Sequence, residues 1–461
     1  MISSPALQAL SKIDGIHGFY TDPADCLVYG YDNSRRQVTP DAVIFPTHHQ
    51  QLIEIVHICR QYAIPLTARG RGTATTGASV PVQQGLVVSF EHMNRILSFE
   101  PENRLIVVQP GVTNQEVQDY IADAGFFWAP DPSSSAFCSI GGNLSCNSAG
   151  PRAVKYGSTR DHVLGLKAVL GDGRTLVTGA KTTKAVVGYD FTRLLIGSEG
   201  TLGLITEATL KLLPKPEKKL TAQIIFGSIE SAAHAITAIM SQPVIPCALE
   251  FIDKHAINMI RDYSEAILPA HAQAMIMLEI DGDAACLQRQ ADALEQTVRQ
   301  SGCLSYQLAE TAEEVKALWK TRKALSPALR KIAPKKINED VVVPVAHITQ
   351  FLNTLDQLAD KYQIAIVNFG HAGNGNIHVN LLTNPDDEQQ MKNAYACLED
   401  LFKTVLQLGG TLSGEHGIGL EKKDYVHWEL DQTYTSLMHA VKMQFDPDGI
   451  LNPQKQDYIK V

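Results

Sequence analysis

The stretch Ala68-Arg69-Gly70-Arg71-Gly72-Thr73-Ala74-Thr75-Thr76-Gly77 follows the strand-like run Ile64-Pro65-Leu66-Thr67. Its glycines at 70, 72 and 77 let backbone N–H groups crowd round an anion with no Cβ in the way. A pyrophosphate suits such a loop. A Rossmann fingerprint would need a third glycine where Thr75 stands, and a Walker A loop would end in Gly-Lys-Ser/Thr, so neither a nicotinamide dinucleotide nor ATP is favoured. Alone, the loop reads equally well as a Gly-rich surface turn. Two further runs shift the balance: Ser139-Ile140-Gly141-Gly142-Asn143-Leu144-Ser145-Cys146-Asn147-Ser148-Ala149-Gly150 and Gly197-Ser198-Glu199-Gly200-Thr201-Leu202-Gly203-Leu204-Ile205-Thr206. Small residues over such lengths admit a large flat ligand close to the backbone, with Ser, Asn and Thr to bond its polar edge.

Around these loops, strand-like runs (Ala42 to Phe45, Leu86 to Phe90, Leu105 to Gln109) alternate with helix-like segments (Gln50 to Tyr62, Thr113 to Ala124). The stretch ends at Leu213-Pro214-Lys215-Pro216, where proline removes donors and restricts its neighbour, and a domain boundary is placed there. Beyond it, helical patterns (Ser228 to Ser241, Cys286 to Ser301, Ala312 to Lys331) alternate with short strands (Ala222 to Phe226, Met275 to Ile280, Ile364 to Phe369), the pattern of an α+β domain with an antiparallel sheet. The chain closes on the turn-rich Asp446-Pro447-Asp448-Gly449-Ile450-Leu451-Asn452-Pro453, and no internal repeat or low-complexity tract is found.

The length of 461 residues allows two or three units with substantial cores. At 44% apolar and 19% charged, with no apolar run near the roughly 20 residues that span a bilayer, the composition is that of a soluble globular protein. A net charge of −9 and a pI near 5.9 supply no basic field for a phosphate backbone, so nucleic acid is excluded as a partner. Met1 to Leu10 has neither a basic start nor an apolar core of export-signal length, and the cytoplasm is the default compartment. None of the eight cysteines forms a CxxC pair, so they are read as reduced, mostly buried thiols.

In Asn368-Phe369-Gly370-His371-Ala372-Gly373-Asn374-Gly375-Asn376-Ile377-His378-Val379-Asn380, the dipeptide Asn374-Gly375 predicts a two-residue hairpin turn, since both positions tolerate positive φ. Pairing outward from it sets Gly373 against Asn376, Ala372 against Ile377 and His371 against His378, two imidazoles on one face that could share an ion. Two surface histidines on a hairpin would give the same pattern. A second cluster, Gly409-Gly410-Thr411-Leu412-Ser413-Gly414-Glu415-His416-Gly417-Ile418-Gly419, sets a carboxylate beside a histidine among glycines, an unusual place for a packed core side chain. Glu415 could complete a two-His, one-carboxylate site with open positions, suited to zinc or a similar first-row ion.

The first loop, Pro130-Asp131-Pro132 as a turn followed by Ser139-Ile140-Gly141-Gly142, the segment Tyr156-Gly157-Ser158-Thr159-Arg160-Asp161-His162-Val163, and Gly197-Ser198-Glu199-Gly200-Thr201-Leu202-Gly203 resemble the FAD-binding half of the vanillyl-alcohol oxidase and p-cresol methylhydroxylase superfamily, in order and in spacing. That resemblance implies FAD lying extended between two α+β subdomains, with its pyrophosphate on the first loop. It places FAD contacts at Arg69, Gly70, Arg71, Gly72, Thr73, Gly77, Pro130, Asp131, Ser139, Gly141, Gly142, Ser145, Asn147, Gly150, Gly157, Asp161, Val163, Glu199, Gly203 and Ile205. Relatives with covalent flavin often carry a histidine in the first loop where Thr73 stands here, so noncovalent FAD is expected.

The two C-terminal clusters are similar to the C-terminal domain of the FAD-linked D-2-hydroxyacid dehydrogenases of that superfamily, the D-lactate, D-2-hydroxyglutarate and glycolate dehydrogenases. The resemblance implies metal ligation by His371, His378 and Glu415, a general base at His416, and substrate contacts at Arg322, Ser326, Lys336 and Asn380. Arg322 has the planar fork for a bidentate carboxylate grip, although a solvated basic helix face is the other reading of its surroundings. Aligned by its Val-Pro end, Lys336-Ile337-Asn338-Glu339-Asp340-Val341-Val342-Val343-Pro344 puts Asn338, not Lys336, where some relatives place a substrate lysine. Asn374 likewise replaces the more usual Asp of the hairpin turn.

The chemistry implied is hydride transfer from Cα of a small D-2-hydroxy acid to flavin N5, giving the 2-oxo acid, while the hydroxyl loses its proton. A divalent metal, zinc above all, would acidify that hydroxyl and fix the carboxylate, and His416 would take the proton. Electrons would pass to a quinone, cytochrome or electron-transfer flavoprotein rather than to NAD. The fold class expected is α+β: a two-subdomain FAD-binding domain of the p-cresol methylhydroxylase type over 1–213, a substrate- and metal-binding domain with an antiparallel sheet over 214–425, and a segment 426–461 packing back on the FAD domain. Two alternatives stand beside this reading, a metal-free FAD alcohol oxidase using oxygen and a non-catalytic flavoprotein subunit of a larger oxidase. Homodimerisation and peripheral association with the inner face of a membrane are left open.

Overall fold

Four consecutive apolar residues, Ala42–Phe45, form a strand buried on both faces, and the helix His49–Gln61 that follows buries Leu52, Ile55, Val56 and Cys59 at helical spacing. This strand–helix–strand crossover leads to Leu66–Arg69 and brings both strands alongside Leu86–Ser89, all parallel. With Gly18–Tyr20 added antiparallel on the outer edge, they make a four-stranded sheet. Ile44, Leu52, Ile55, Leu66, Leu86 and Val88 centre its core.

A second, five-stranded antiparallel sheet runs in the order Ile96–Glu100, Leu105–Val108, Leu204–Lys211, Val163–Val169, Thr175–Gly179. It has its own core of Ile106, Val108, Val117, Ile121, Trp128, Leu144 and Leu166. Helix Asn114–Ala122 covers it, started by a reciprocal cap in which Thr113 Oγ1 accepts from Glu116 N (3.1 Å) and Glu116 Oε2 accepts from Thr113 N (2.7 Å). Two sheets with separate cores are the two-subdomain α+β arrangement.

The computed structural model describes residues 1–261, 268–456 and 458, with the side chains of 330–332 outside the description. The chain divides into one unit of Met1–Ala149, Gly157–Lys215 and Glu415–Val461, which holds both sheets above, and a second of Gly150–Tyr156 and Pro216–Gly414. In the first unit the turn-rich tail docks on the parallel sheet, where Leu66 N donates to Ile450 O (2.8 Å) and Asn452 N to Leu66 O (2.7 Å). Fully buried Asp446 holds that turn by accepting from Leu451 N (2.8 Å) and Ile450 N (3.2 Å).

The second unit is built on a seven-stranded antiparallel sheet in the order Cys303–Leu308, Lys218–Phe226, Ala274–Gly282, Ala248–Asp253, Ala365–His371, Asn376–Thr383, Lys335–Val342. Helices Lys254–Ile260 and Ala312–Ile332 pack on one face, through Ile257, Leu318, Leu325 and Leu329 against Ile252, Met275, Met277, Val367 and Phe369. Because strand side chains alternate, that face also carries Glu250, His371, His378 and Asn380.

Asp253 ends its strand by capping the next helix, Oδ1 accepting from Ala256 N (2.7 Å) and Oδ2 from Asn368 N (2.7 Å). Burial pushes its carboxyl up from 3.8 to about 7, with the hydrogen bonds from Ala256 and Asn368 pulling the other way. The folded chain thus keeps a proton that the unfolded chain releases near 3.8, so this contribution to stability is whole below that value and is lost as pH rises through about 7. Asp253→Asn cannot ionise and is expected to lose less stability across this window than the unsubstituted protein. Paired urea curves at the two ends check it; parallel losses would reject the assignment.

Candidate active site

The three glycine-rich runs converge in the first unit. A Cβ on Gly70 would sit 2.4 Å from Ser139 Oγ, so the first loop lies directly against the start of helix Ile140–Cys146, which Ser139 caps through Gly142 N (3.2 Å). Gly197 N and Glu199 N of the third run donate to Leu144 O and Ser145 O of that helix, both at 2.9 Å. Gly72 has φ +66, and a Cβ there would meet Arg69 Nη2 at 2.3 Å, which makes glycine the residue this turn accepts. Backbone and small side chains line the convergence, the surface a flat dinucleotide needs.

The charged candidates are turned elsewhere. Arg69 donates to the carbonyls of Tyr31 (2.6 Å) and Val28 (3.3 Å), tying down the loop's base, while Arg71 lies 3.9 Å from Glu91. Thr73 O accepts from Asn33 Nδ2 (3.3 Å), and Pro130 O from Asn114 Nδ2 (3.0 Å). The turn expected at Pro130-Asp131-Pro132 is corrected: it begins at Pro132, whose O accepts from Ser135 N (2.8 Å), and runs on from there. Proline at 130 and 132 fixes φ, and the closing N–H comes from Ser135.

Asn147 is left-handed (φ 50), and its Oδ1 takes Arg160 N (3.0 Å) and Ser158 Oγ (3.2 Å). Asp161 caps its own short helix through Ser158 N (2.9 Å), and a Cβ on Gly157 would lie 2.6 Å from Asp161 Oδ2. Val163 opens the strand Val163–Val169, Ile205 is buried in the central strand beside it, and Gly203 packs 3.3 Å from Val169 O when a Cβ is built on it. Gly141 abuts Pro110, Gly77 abuts Leu420, and Gly150 begins the short segment belonging to the second unit.

Glu199 has another occupation in the same unit. Fully enclosed and left-handed (φ 51), it accepts from Ile418 N (2.8 Å) and Gly419 N (3.1 Å), and Thr76 assists from the first loop, its Oγ1 donating to His416 O (3.2 Å). Burial raises its carboxyl above the usual range, against these hydrogen bonds and nearby Lys455. The pair therefore fixes the backbone that carries His416. Glu199→Ala would leave both N–H groups buried without their acceptor, roughly 1–3 kcal/mol for each. The expected result is a lower thermal midpoint together with a fall in turnover; unchanged values for both would reject the holding role.

The hairpin of the second unit departs from the expected pairing. His371 is opposite Asn376, and His378 is opposite Phe369. Of Asn374 and Gly375 only the glycine is left-handed (φ 72), so Ala372–Asn374 form a 3-10 turn closed by Gly375, with Gly375 N donating to Ala372 O (3.0 Å), instead of a two-residue turn. A Cβ at 375 would fall 1.8 Å from Val343 O. The register differs by two in summed residue number, an even step that leaves both histidines on the same face, diagonal to one another with ring centroids 5.2 Å apart and nearly perpendicular.

Asp340, opposite His378 in the adjacent strand, accepts from Gly414 N (3.0 Å) and Ser413 Oγ (3.2 Å). This docks the chain end to which Glu415 is bonded. His371, His378 and Glu415 each present one ligand atom, all within 4.8 Å of one another, with both histidines buried. Two nitrogens and a carboxylate oxygen at that spacing fit a divalent first-row ion. His416 Nε2 lies 3.9 Å from Glu415 Oε1.

Among the substrate candidates, Lys336 Nζ donates to Ser326 Oγ (3.0 Å). Asn380 is fully buried, its amide donating to Val367 O (3.0 Å) and His378 O (3.2 Å) and accepting from Asn338 Nδ2 (2.6 Å). Arg322 lies over the Phe369 ring at 5.0 Å, and its Nε donates to Glu250 Oε2 (2.6 Å). Glu250 was missed in the sequence. It has no exposed surface, and its other oxygen, Oε1, is 2.7 Å from His371 Nδ1. Burial opposes its charge, but His371 and Arg322 outweigh that and hold the carboxyl below its usual range.

The fold is of the p-cresol methylhydroxylase type: the structure of p-cresol methylhydroxylase with substrate bound is similar over 98% of this chain and 96% of that one, with a TM-score of 0.78 at 17% identity. Sequence narrows it. Residues 40–179 match the model of the FAD binding domain and 215–456 that of the FAD linked oxidases, C-terminal domain. Glycolate oxidase subunit GlcD of Bacillus subtilis (strain 168) is 39% identical over 99% of this chain and 97% of that protein. D-lactate dehydrogenase of Anaerostipes hadrus is 32% identical over 91% and 90%, and D-2-hydroxyglutarate dehydrogenase of Stutzerimonas stutzeri (strain A1501) 32% over 94% and 95%. The chain belongs to the FAD-linked oxidases, as an oxidoreductase of the glycolate, D-lactate and D-2-hydroxyglutarate dehydrogenase type. Among the described residues no helix is long and apolar enough to cross a membrane.

Proposed function

We propose that this protein oxidises a small D-2-hydroxy acid to its 2-oxo acid with noncovalent FAD and a divalent metal, and passes the electrons to an acceptor other than NAD. The observation that carries the reading is the meeting of His371, His378 and Glu415 within 4.8 Å, with His416 next in the chain. FAD supplies the hydride acceptor. An ion at the triad supplies Lewis acidity toward the hydroxyl and carboxylate of the acid.

The chain's own part is then positional and acid–base. His416 takes the hydroxyl proton at a ring nitrogen. Arg322 offers the substrate carboxylate its Nη edge, which makes no hydrogen bond among the described residues, while Nε is anchored by Glu250. Lys336 and Ser326 stand as a joined polar pair for the distal end of the acid, and Asn380 holds Asn338 beside them. Thr73 in the first loop favours noncovalent flavin, since its hydroxyl is not the imidazole that attaches flavin in covalent relatives.

A screen of D- and L-2-hydroxy acids with an artificial electron acceptor, with bound metal measured on the same sample, tests this. Turnover of one or more D-acids by protein holding close to one equivalent of metal is expected. Activity confined to L-acids or simple alcohols, or full activity without metal, would overturn it.

A further inference from the structure

Glu250 sits in Ala248–Asp253, a strand in which every residue is buried, so a carboxylate there requires an explanation beyond solubility. Each of its oxygens has a different partner. Oε1 faces His371 Nδ1 at 2.7 Å, and Oε2 accepts from Arg322 Nε at 2.6 Å, with the arginine side chain 11% exposed. An ionised carboxylate only accepts, so His371 must carry its proton on Nδ1, which puts the ring's lone pair on Nε2. Arg322, held by Nε and stacked on Phe369, can turn only its Nη edge outward.

We infer that Glu250 is a positioning residue: one carboxylate fixes the tautomer and rotation of a metal-ligating histidine and, at the same time, the orientation of the arginine that takes the substrate carboxylate. Resting on the proposed reading of the site, it makes ion binding and acid binding depend on a common anchor. The spacing between the His371 ring and the Arg322 guanidinium is set by one carboxylate bridging them. The sheet ladder sets Glu250 opposite His371, while Arg322 comes from the helix packed on that face, so it is the carboxylate that ties the guanidinium to the histidine ring.

The test titrates FAD-loaded, metal-stripped protein with zinc against a chromogenic chelator, for the unsubstituted chain, Glu250→Gln, Glu250→Asp and His371→Ala, with thermal melts to verify folding. KM for the acid selected by the screen is measured at saturating zinc. Glu250→Gln is expected to weaken zinc binding by about 10–100-fold and to raise KM more than it lowers kcat. Glu250→Asp keeps the charge but cannot span both partners, and it is expected to show at least one of the two effects; it carries the test if the Gln variant does not fold. Zinc affinity and KM unchanged in folded Glu250 variants, with zinc binding lost in His371→Ala, would overturn the inference and leave the metal site standing. No zinc binding by the unsubstituted chain would overturn both.

Discussion

His416→Ala is expected to slow dye-coupled oxidation of the preferred acid by at least about 100-fold, the lower range for removal of a general base, with FAD and metal contents at the unsubstituted level. The argument is one of placement. The ring follows a metal-ligand candidate in the chain, the carbonyl of His416 accepts from Thr76 Oγ1 at 3.2 Å, and the N–H groups two and three residues further on, of Ile418 and Gly419, are gripped by Glu199. A side chain on backbone so fully tied is held for a purpose that small displacements would spoil. The loss should appear mainly in kcat. Unchanged turnover would remove His416 from the mechanism and leave the proton without an acceptor.

Exhaustive removal of metal is expected to lower turnover by about a thousandfold or more, because a Lewis acid at a developing alkoxide contributes several kcal/mol and each 1.36 kcal/mol is a factor of about ten. FAD absorbance should stay unchanged through chelation. Zinc should restore the rate, and His378→Ala should abolish the restoration, since the triad offers three donors in all. Full turnover after stripping would favour the metal-free alcohol oxidase and reduce the histidines to structural residues.

How much of this was legible depended on the range of the interactions. Runs such as Ala42–Phe45 and the 3.6-residue spacing of Leu52, Ile55, Val56 and Cys59 declare themselves locally, because burial on a strand or a helix face is written into neighbours. The glycine-rich runs also spoke locally. The histidines were placed on one face correctly from an incorrect register: Asn374 tolerates a left-handed backbone without requiring it, so the dipeptide could not decide between turn types, yet the even offset preserved the face.

Glu250 lay out of reach, since its partners are 72 and 121 residues away. The one signal it gives is an acid in the middle of the otherwise apolar Ala248-Leu249-Glu250-Phe251-Ile252. Glu199 was expected among the flavin contacts, and its bond to the loop 219 residues on became visible only in three dimensions.

The bond between Glu415 and His416 has a last consequence under the proposed mechanism. One rigid amide separates the group that helps grip the ion from the group that accepts the proton, so a displacement that empties the first site drags the second out of alignment. Half-measures are then ruled out: a molecule lacking its ion should be silent instead of sluggish, and activity should climb in direct proportion to the fraction of molecules loaded.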